Sequence, residues 1–323
     1  MVRRIKNLLL QSFGFGLLIT LAVACGNNSD KSQNRKEGFK SLDKLHVISS
    51  FTILSDIVRQ IGGERVEVYN MVPTGTDPHD YVPFPKDVKA TTDADLLVKN
   101  GLNLEGGDNG WFAKLVRTTN QNKDRVYQLT KGVEPMYLKS KDGRKEEINP
   151  HAFLNPVVGI QIAKNARDAL IEVDPDHEEG YRQRATKYID LLKDFDEEYQ
   201  TKINEIPEED RILVTSERAF QYLAAEYGLK EGYIWAIDTQ DNGTPEQIKS
   251  LLSFLKEYKP PVLFVETNVD KRPMRTVSSE SGIEIYGPIY SDEIGEPGEE
   301  VDTYEKYLRY NLRQIYNGLA QNE

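Results

Sequence analysis

Apolar and polar residues follow two periodicities along most of the chain. Short segments rich in apolar residues, such as LHVISSF (45–51) and RILVTSE (211–217), predict buried strands. Segments with apolar residues three and four positions apart, such as TILSDIVRQIGG (52–63) and TPEQIKSLLSFLKEY (244–258), predict amphipathic helices, the second with Thr244 as N-cap. Strands that alternate with helices indicate a mainly parallel sheet, so the pattern predicts an α/β fold.

The alternation occurs twice, and a long helical region separates the two occurrences. Before this region the predicted strands are 45–51, 66–72, 95–101 and 125–130, and after it they are 211–217, 233–238, 261–268 and 283–287. Residues 139–149 are predicted to be a charged loop, and residues 155–174 and 177–206 to be long helices. Because 323 residues exceed the size at which one core usually keeps growing, we expect two α/β lobes.

The N-terminus has the pattern of an export signal. Basic residues near the start precede an apolar stretch that ends at LAVAC, so residues 1–24 are interpreted as a signal peptide. LAVAC resembles a bacterial lipobox, in which Cys25 is lipidated and becomes the mature N-terminus. Cys25 is the only cysteine, and a free thiol is a liability in an exported protein. The alternative is ordinary secretory cleavage that leaves this thiol free. The polar residues up to 44 then form a flexible tether, so 25–44 is the anchor segment.

Composition excludes two classes of protein. The net charge of −11 argues against nucleic acid as a partner, because phosphate backbones are bound by basic surfaces. A mean hydropathy of −0.57 excludes a polytopic membrane protein.

Two of the four histidines directly follow a proline. His79 lies in TGTDPHDYVP and His151 in NPHAFLNP, and each proline fixes its own φ and restricts the residue before it. Glu217 ends a predicted strand, and Asp292 follows one, as His79 does. Ligands in open α/β sheets bind beyond the carboxyl ends of strands. Two imidazoles and two carboxylates suit Mn²⁺, Fe²⁺ or Zn²⁺. The gaps of 72, 66 and 75 residues between them match no local metal motif.

Several motifs together resemble one known family. They are TDPHDYVP (76–83), GLNLEGGDNGWF (101–112), NPHAFLNP (149–156), VTSERAFQYLAAEYG (214–228), GYIWAIDTQDNGTPEQI (232–248), FVETNVDKRPM (264–274) and IYSDEIG (289–295). The chain resembles the manganese-type metal-binding lipoproteins of ABC transporters, the cluster A-I solute-binding proteins. The resemblance extends from about residue 45 to the C-terminus.

This resemblance implies a site and an architecture. The metal ligands would be His79, His151, Glu217 and Asp292, and one divalent ion would be bound as cargo for an ABC permease. The fold would be two α/β lobes, each a mainly parallel sheet flanked by helices, joined by one long rigid helix. The corresponding segments are an N-terminal lobe at 45–154, a linking helix at 155–173 and a C-terminal lobe at 174–323. We expect a monomer, held on the extracytoplasmic face of the membrane by its lipid.

Two local features bear on metal affinity and identity. The family usually has glycine after the ligand glutamate, whereas this chain has Arg218, which either competes with the metal or points away to another acid. Zinc-type relatives carry a histidine-rich loop before the second Pro-His motif, and residues 139–149 contain no histidine. This favours manganese, with iron(II) or zinc as the other candidates.

Two other functions remain open at this stage. One is a surface lipoprotein that mediates adhesion or another interaction and uses metal as a structural element. The other is a metalloenzyme, which needs an open coordination position and a placed base. The sequence contains neither HExxH nor a nucleophile elbow, so no enzymatic activity is expected.

Overall fold

The computed structural model describes residues 43–139, 146–237 and 242–321. The signal peptide at 1–24, Cys25 and the tether as far as residue 42 lie outside the described residues, so these predictions stand as made. Within the described ranges, no helix combines the length and apolar character needed to cross a bilayer.

The first half of the chain forms a four-stranded parallel sheet with strand order β2-β1-β3-β4. All seven residues of β1 are buried, as expected for a central parallel strand covered by helices on both faces. A short antiparallel pair, β5 and β6, follows this sheet. The bounds are β1 Leu45–Phe51, β2 Val66–Val72, β3 Leu96–Lys99, β4 Val126–Gln128, β5 Tyr137–Lys139 and β6 Glu146–Ile148.

The second half of the chain contains two further pairs of parallel strands. The two pairs lie side by side, because one strand of the first pair packs against one strand of the second. The bounds are β7 Ile212–Glu217, β8 Lys230–Trp235, β9 Leu263–Glu266 and β10 Ile285–Ile289. β7 pairs with β8, and β9 pairs with β10. The carboxyl ends of β7 and β9 are therefore neighbours, which is where a parallel arrangement places its binding residues.

Nine helices flank these strands in the described part of the chain. Their bounds are α1 Thr52–Gly62, α2 Pro85–Asp93, α3 Trp111–Thr118, α4 Pro156–Val173, α5 Glu178–Glu205, α6 Gln221–Tyr227, α7 Pro245–Tyr258, α8 Arg272–Ser281 and α9 Tyr304–Leu319. Asn155 caps α4 through its side chain and Pro156 occupies the first helical position, a common helix start. Thr244 caps α7 as predicted. The segment 155–173 thus forms one helix, while the lobe boundaries at its ends stay a prediction.

One continuous apolar core includes side chains from both halves. Ile48 of β1, Leu170 of α4 and Phe264 of β9 belong to the same cluster of buried residues. A smaller cluster lies on the opposite face of the second set of strands. Leu213 faces the large cluster and Val214 the small one, because successive side chains of a strand point to opposite faces.

The structure corrects three local predictions. Residues 139–149 were predicted to be a charged loop, but β6 pairs with β5 there, with 140–145 outside the described residues. β8 begins at Lys230 rather than at residue 233, because it pairs with β7 from Ile212 onward. The segment RAFQYLAAEYG (218–228), whose apolar pattern predicts a helix, is α-helical only from Gln221, after a 3-10 turn. For the two strands, hydrogen-bond partners on the neighbouring strand decided the outcome.

Asp174 links the end of α4 to the first half of the chain. Its carboxylate accepts hydrogen bonds from Arg65 Nε at 2.8 Å and from the Tyr181 hydroxyl at 2.7 Å, and lies 3.0 Å from His177 Nδ1. Burial alone would raise the pKa of Asp174, but these hydrogen bonds outweigh it and lower the pKa from 3.8 to about 2.

We expect Asp174→Asn to lower the free energy of unfolding by about 1–2 kcal/mol at pH 7. A carboxyl group with a depressed folded pKa stabilises above its unfolded pKa and loses this contribution as pH falls. The difference between variant and parent should therefore shrink between about pH 4 and pH 2. Urea unfolding across this range measures it, with the exposed Asp176→Asn as control. A difference in the free energy of unfolding that stays the same across this pH range would contradict the role given to the Asp174 carboxylate.

Candidate metal centre

The loop after β2 carries His79 and is held by two contacts. The Asp77 carboxylate accepts a hydrogen bond from the His79 backbone N–H at 2.7 Å, a local turn typical of aspartate. The indole Nε1 of Trp111 donates to the Pro78 carbonyl at 2.8 Å. Both contacts engage the peptide group between Pro78 and His79, so they fix the backbone from which the imidazole projects.

His151 is fully buried at the start of the 3-10 turn that precedes α4. Asn149 Oδ1 accepts the His151 backbone N–H at 3.1 Å and lies 2.7 Å from His151 Nδ1. The Asn149 amide nitrogen donates to the Arg218 carbonyl and to Gln221 Oε1. These donations fix the amide orientation, so its oxygen faces the ring and Nδ1 carries the proton. Nε2 is then left with a lone pair, as a metal ligand requires.

Glu217 is the last residue of β7 and is fully buried. Its backbone N–H donates to Glu266 Oε1 at 2.8 Å, and the Ser216 N–H donates to Glu266 Oε2 at 3.1 Å. Glu266, at the end of β9, thus holds the end of β7. Burial raises the pKa of Glu266 to about 7, against the effect of the two backbone donors.

Asp292 lies in the turn after β10 and is 4% exposed. Its Oδ2 accepts a hydrogen bond from the Asn268 amide at 3.2 Å, and the Tyr307 hydroxyl donates to the carbonyl of the preceding Ser291. These contacts from the loop after β9 and from α9 hold the turn, so that Asp292 Oδ1 faces His151.

The structure brings all four side chains together. His151 Nε2 lies 3.3 Å from His79 Nε2, 3.8 Å from Glu217 Oε1 and 3.2 Å from Asp292 Oδ1. The ligand atoms of the first three residues all lie within 4.8 Å of one another. Two of the residues come from the first half of the chain up to α4 and two from the second half, so the cluster depends on the whole fold.

The surroundings favour the protonation states that a cation needs. Burial lowers the pKa of His79, which keeps its imidazole neutral. Burial alone would raise the pKa of Asp292, but the two imidazoles beside its carboxylate and the Asn268 amide that donates to it bring the pKa below its ordinary value. Neutral imidazoles and ionised carboxylates are the forms that coordinate metals.

Arg218 points away from this cluster. Its guanidinium donates to Glu231 Oε2 from Nη2 at 2.9 Å and from Nε at 3.2 Å, and it stacks over the Tyr233 ring at 5.2 Å. Of the two orientations considered from the sequence, the structure therefore has the one in which Arg218 pairs with another acid. The arginine neutralises a partly buried carboxylate on β8 and leaves Glu217 accessible to a cation.

The other two histidines lie elsewhere. His46 is buried within β1, and its backbone N–H donates to Asp95 Oδ2 at 2.9 Å. His177 pairs with Asp174 near the start of α5. Sequence reasoning missed the supporting residues Asn149 and Glu266. Both lie in the quoted motifs NPHAFLNP and FVETNVDKRPM, but the residues that Glu266 holds and those that orient the Asn149 amide are distant in sequence.

Comparison with known proteins places this chain in a family. Residues 47–318 match the family described as "ZnuA: Zinc-uptake complex component A periplasmic". The manganese ABC transporter substrate-binding lipoprotein PsaA of Streptococcus pneumoniae is 45% identical over 305 residues, which are 94% of this chain and 95% of that protein. The metal ABC transporter substrate-binding lipoprotein SsaB of Streptococcus sanguinis is 42% identical over 318 residues, 97% and 100% of the two chains.

Solved structures give the same fold. The Mn-bound periplasmic metal binding protein of candidatus Liberibacter asiaticus superposes with a TM-score of 0.77 at 29% identity, covering 85% of this chain and 100% of that one. The periplasmic zinc binding protein TroA of Treponema pallidum has a TM-score of 0.78 at 24% identity, covering 86% and 99%, and supports the fold alone. From the matched length and the identities to these relatives, the chain belongs to the ZnuA family of metal-binding solute-binding proteins of ABC transporters.

Proposed function

We propose that the chain captures one divalent transition-metal ion outside the membrane, with His79, His151, Glu217 and Asp292 as its ligands, and delivers the ion to an ABC permease. The observation that carries the proposal is the approach of His151 Nε2 to the other three side chains within 3.2–3.8 Å, at a buried position. Two ionised carboxylates neutralise a doubly charged ion, which offsets the cost of moving its charge out of water.

Manganese is the cargo that we propose, with iron(II) or zinc as alternatives. Imidazole and carboxylate ligands suit all three ions and lack the soft sulfur that favours copper(I). PsaA of S. pneumoniae, the relative at 45% identity, is named a manganese transporter component. Zinc usually binds such ligands more tightly than manganese, so tight zinc binding in solution does not identify the cargo.

Binding without catalysis is the activity that fits this geometry. His151 and Glu217 have no exposed surface, Asp292 is 4% exposed and His79 is half-buried, so protein side chains would surround most of the ion. Catalytic metal sites keep an open position for water or substrate. We therefore propose that the chain is not an enzyme. We also propose that it acts as a monomer with lobes at 45–154 and 174–323, joined through 155–173.

Anchoring through Cys25 predicts that Cys25→Ala releases the protein from the membrane. Acyl chains hold a protein on the membrane surface, and the polar residues that follow would not. We expect the variant in the soluble extracytoplasmic fraction or the medium, and the parent and a Ser29→Ala control in the membrane fraction. Immunoblots of separated fractions measure this. Retention of the alanine variant on membranes would contradict the lipid anchor.

Two measurements test the transport proposal. Elemental analysis of protein purified from its native membrane, with no metal added, identifies the bound ion. Uptake of radioactive Mn²⁺ by a deletion strain in metal-depleted medium, with and without the restored gene, tests delivery. We expect one equivalent of manganese and uptake that depends on the gene. Normal uptake together with lost adhesion would favour the alternative of a surface interaction protein with a structural metal.

A further inference from the structure

The residue after Asp292 connects the two halves of the chain beside the metal centre. Glu293 is 6% exposed, and its Oε1 accepts a hydrogen bond from the Thr267 hydroxyl at 2.9 Å. Its Oε2 accepts the backbone N–H of Gly75, in the loop that also carries His79. One oxygen is therefore bound within the second half of the chain, and the other reaches the first half.

Two further hydrogen bonds continue this connection. The Thr74 hydroxyl donates to the Ile294 carbonyl at 2.8 Å, and the Ile294 N–H donates to the Thr52 hydroxyl at 3.1 Å. Together with the Glu293–Gly75 bond they form a strip of three hydrogen bonds between segments 52–75 and 293–294. We call this the cross-strip. Gly75 has a φ of +79°, which glycine adopts without strain, so the turn depends on this residue type.

The cross-strip lies next to proposed ligands on both sides. His79 is four residues after Gly75, and Asp292 directly precedes Glu293. An ion bound by both His79 and Asp292 loses both ligands at once when the loop that carries His79 and the turn that carries Asp292 separate. Separating these two segments breaks two of the cross-strip hydrogen bonds, those made by Thr74 and Gly75.

We infer that Glu293 is a positioning residue whose side chain, by fastening the Asp292 turn to the His79 loop, controls how fast the bound ion is released. This inference rests on the proposed metal-binding function. Glu293 touches neither the ion nor its ligands through its side-chain oxygens, so it acts on the site by holding two loops together. Removal of a buried carboxylate that accepts two hydrogen bonds also leaves both donor groups without a partner.

The test is the dissociation rate of Mn²⁺, measured by stopped-flow mixing of loaded protein with excess chelator. We expect Glu293→Ala to dissociate about 10-fold faster or more, in the range found when groups supporting metal ligands are removed. Glu293→Gln keeps one acceptor oxygen, so its rate should lie between those of parent and alanine variant. Glu296→Ala is the matched control, because it removes the same charge from an exposed side chain nearby.

Two additional measurements test the role of Glu293 independently of the release rate of Glu293→Ala. Thr74→Val removes a single cross-strip bond with little change of shape, and a several-fold faster release is expected even if Glu293→Ala folds poorly. Hydrogen exchange at the Gly75 amide should accelerate in Glu293→Ala without any metal. A parent protein that binds no Mn²⁺, Fe²⁺ or Zn²⁺ would refute the proposed function. A parent that binds metal, with unchanged release in Glu293→Ala and Thr74→Val, would refute the role of Glu293 alone.

Discussion

Replacing Asp292 with alanine is expected to weaken Mn²⁺ binding by about 100-fold or more while the metal-free protein remains folded. The loss should exceed the 10–100-fold typical of groups that only support a ligand, because Asp292 Oδ1 lies 3.2 Å from His151 Nε2 within the cluster itself. The substitution also removes one of the two carboxylate charges that would neutralise a divalent ion.

Isothermal titration calorimetry with a competing chelator measures this affinity. The control is Asp190→Ala, an exposed aspartate of α5 that pairs with Lys193 at the surface. Thermal unfolding without metal shows whether the variant keeps the fold. The parent should gain thermal stability when Mn²⁺ is added, since a ligand that binds only the folded state stabilises it, and the variant should gain far less. An unchanged dissociation constant would remove Asp292 from the site.

Asn149→Ala should weaken metal binding by about 10–100-fold although Asn149 is not a proposed ligand. Asn149 Oδ1 faces His151 Nδ1 at 2.7 Å, and this contact holds the proton on Nδ1 and the lone pair on Nε2. Without the acceptor, the ring can carry its proton on Nε2, and that tautomer cannot bind metal. The variant also leaves the Arg218 carbonyl and Gln221 without their amide partner.

Nitrogen-15 NMR of the histidine side chains separates this account from a loss of packing. The parent should show the Nδ1–H form of His151 in the metal-free state, and the variant a mixture of tautomers. Asn149→Asp keeps an acceptor for Nδ1 and should restore the tautomer in part, although it loses the two amide donations. Asn122→Ala, on the surface, serves as control. Weak binding with an unchanged tautomer would show that Asn149 acts in another way.

The strand and helix pattern was predictable from the sequence because burial on both faces leaves a continuous apolar run. β1 and β7, which are buried throughout, lie where such segments were found, and α1 and α7 follow the helical periodicity. β6 was not predictable, since EEI has no apolar run and forms a strand only through its pairing with β5.

The four proposed ligands were named from the sequence through motif resemblance, and not through spacing. Their supporting partners could not be named in this way. Glu266 contacts a backbone amide 49 residues away, and Glu293 contacts one 218 residues away. The local sequence does not predict contacts between residues so far apart in the chain, because these contacts follow from the order of the strands and the placement of the loops. Arg218 shows the same limit, since its partner Glu231 lies on the adjacent strand.

The complete burial of His151 and Glu217 has a consequence for ion discrimination. An ion that reaches them must shed most of its hydration shell, since the surrounding side chains leave little surface open to solvent. Mg²⁺ gives up its water reluctantly and prefers oxygen to imidazole, and Ca²⁺ favours six to eight oxygens in a roomier cage. For both ions, the hydration free energy lost would exceed the free energy gained by coordination to two nitrogens and two carboxylates. The burial of these two side chains would therefore select against Mg²⁺ and Ca²⁺ through the cost of removing their water.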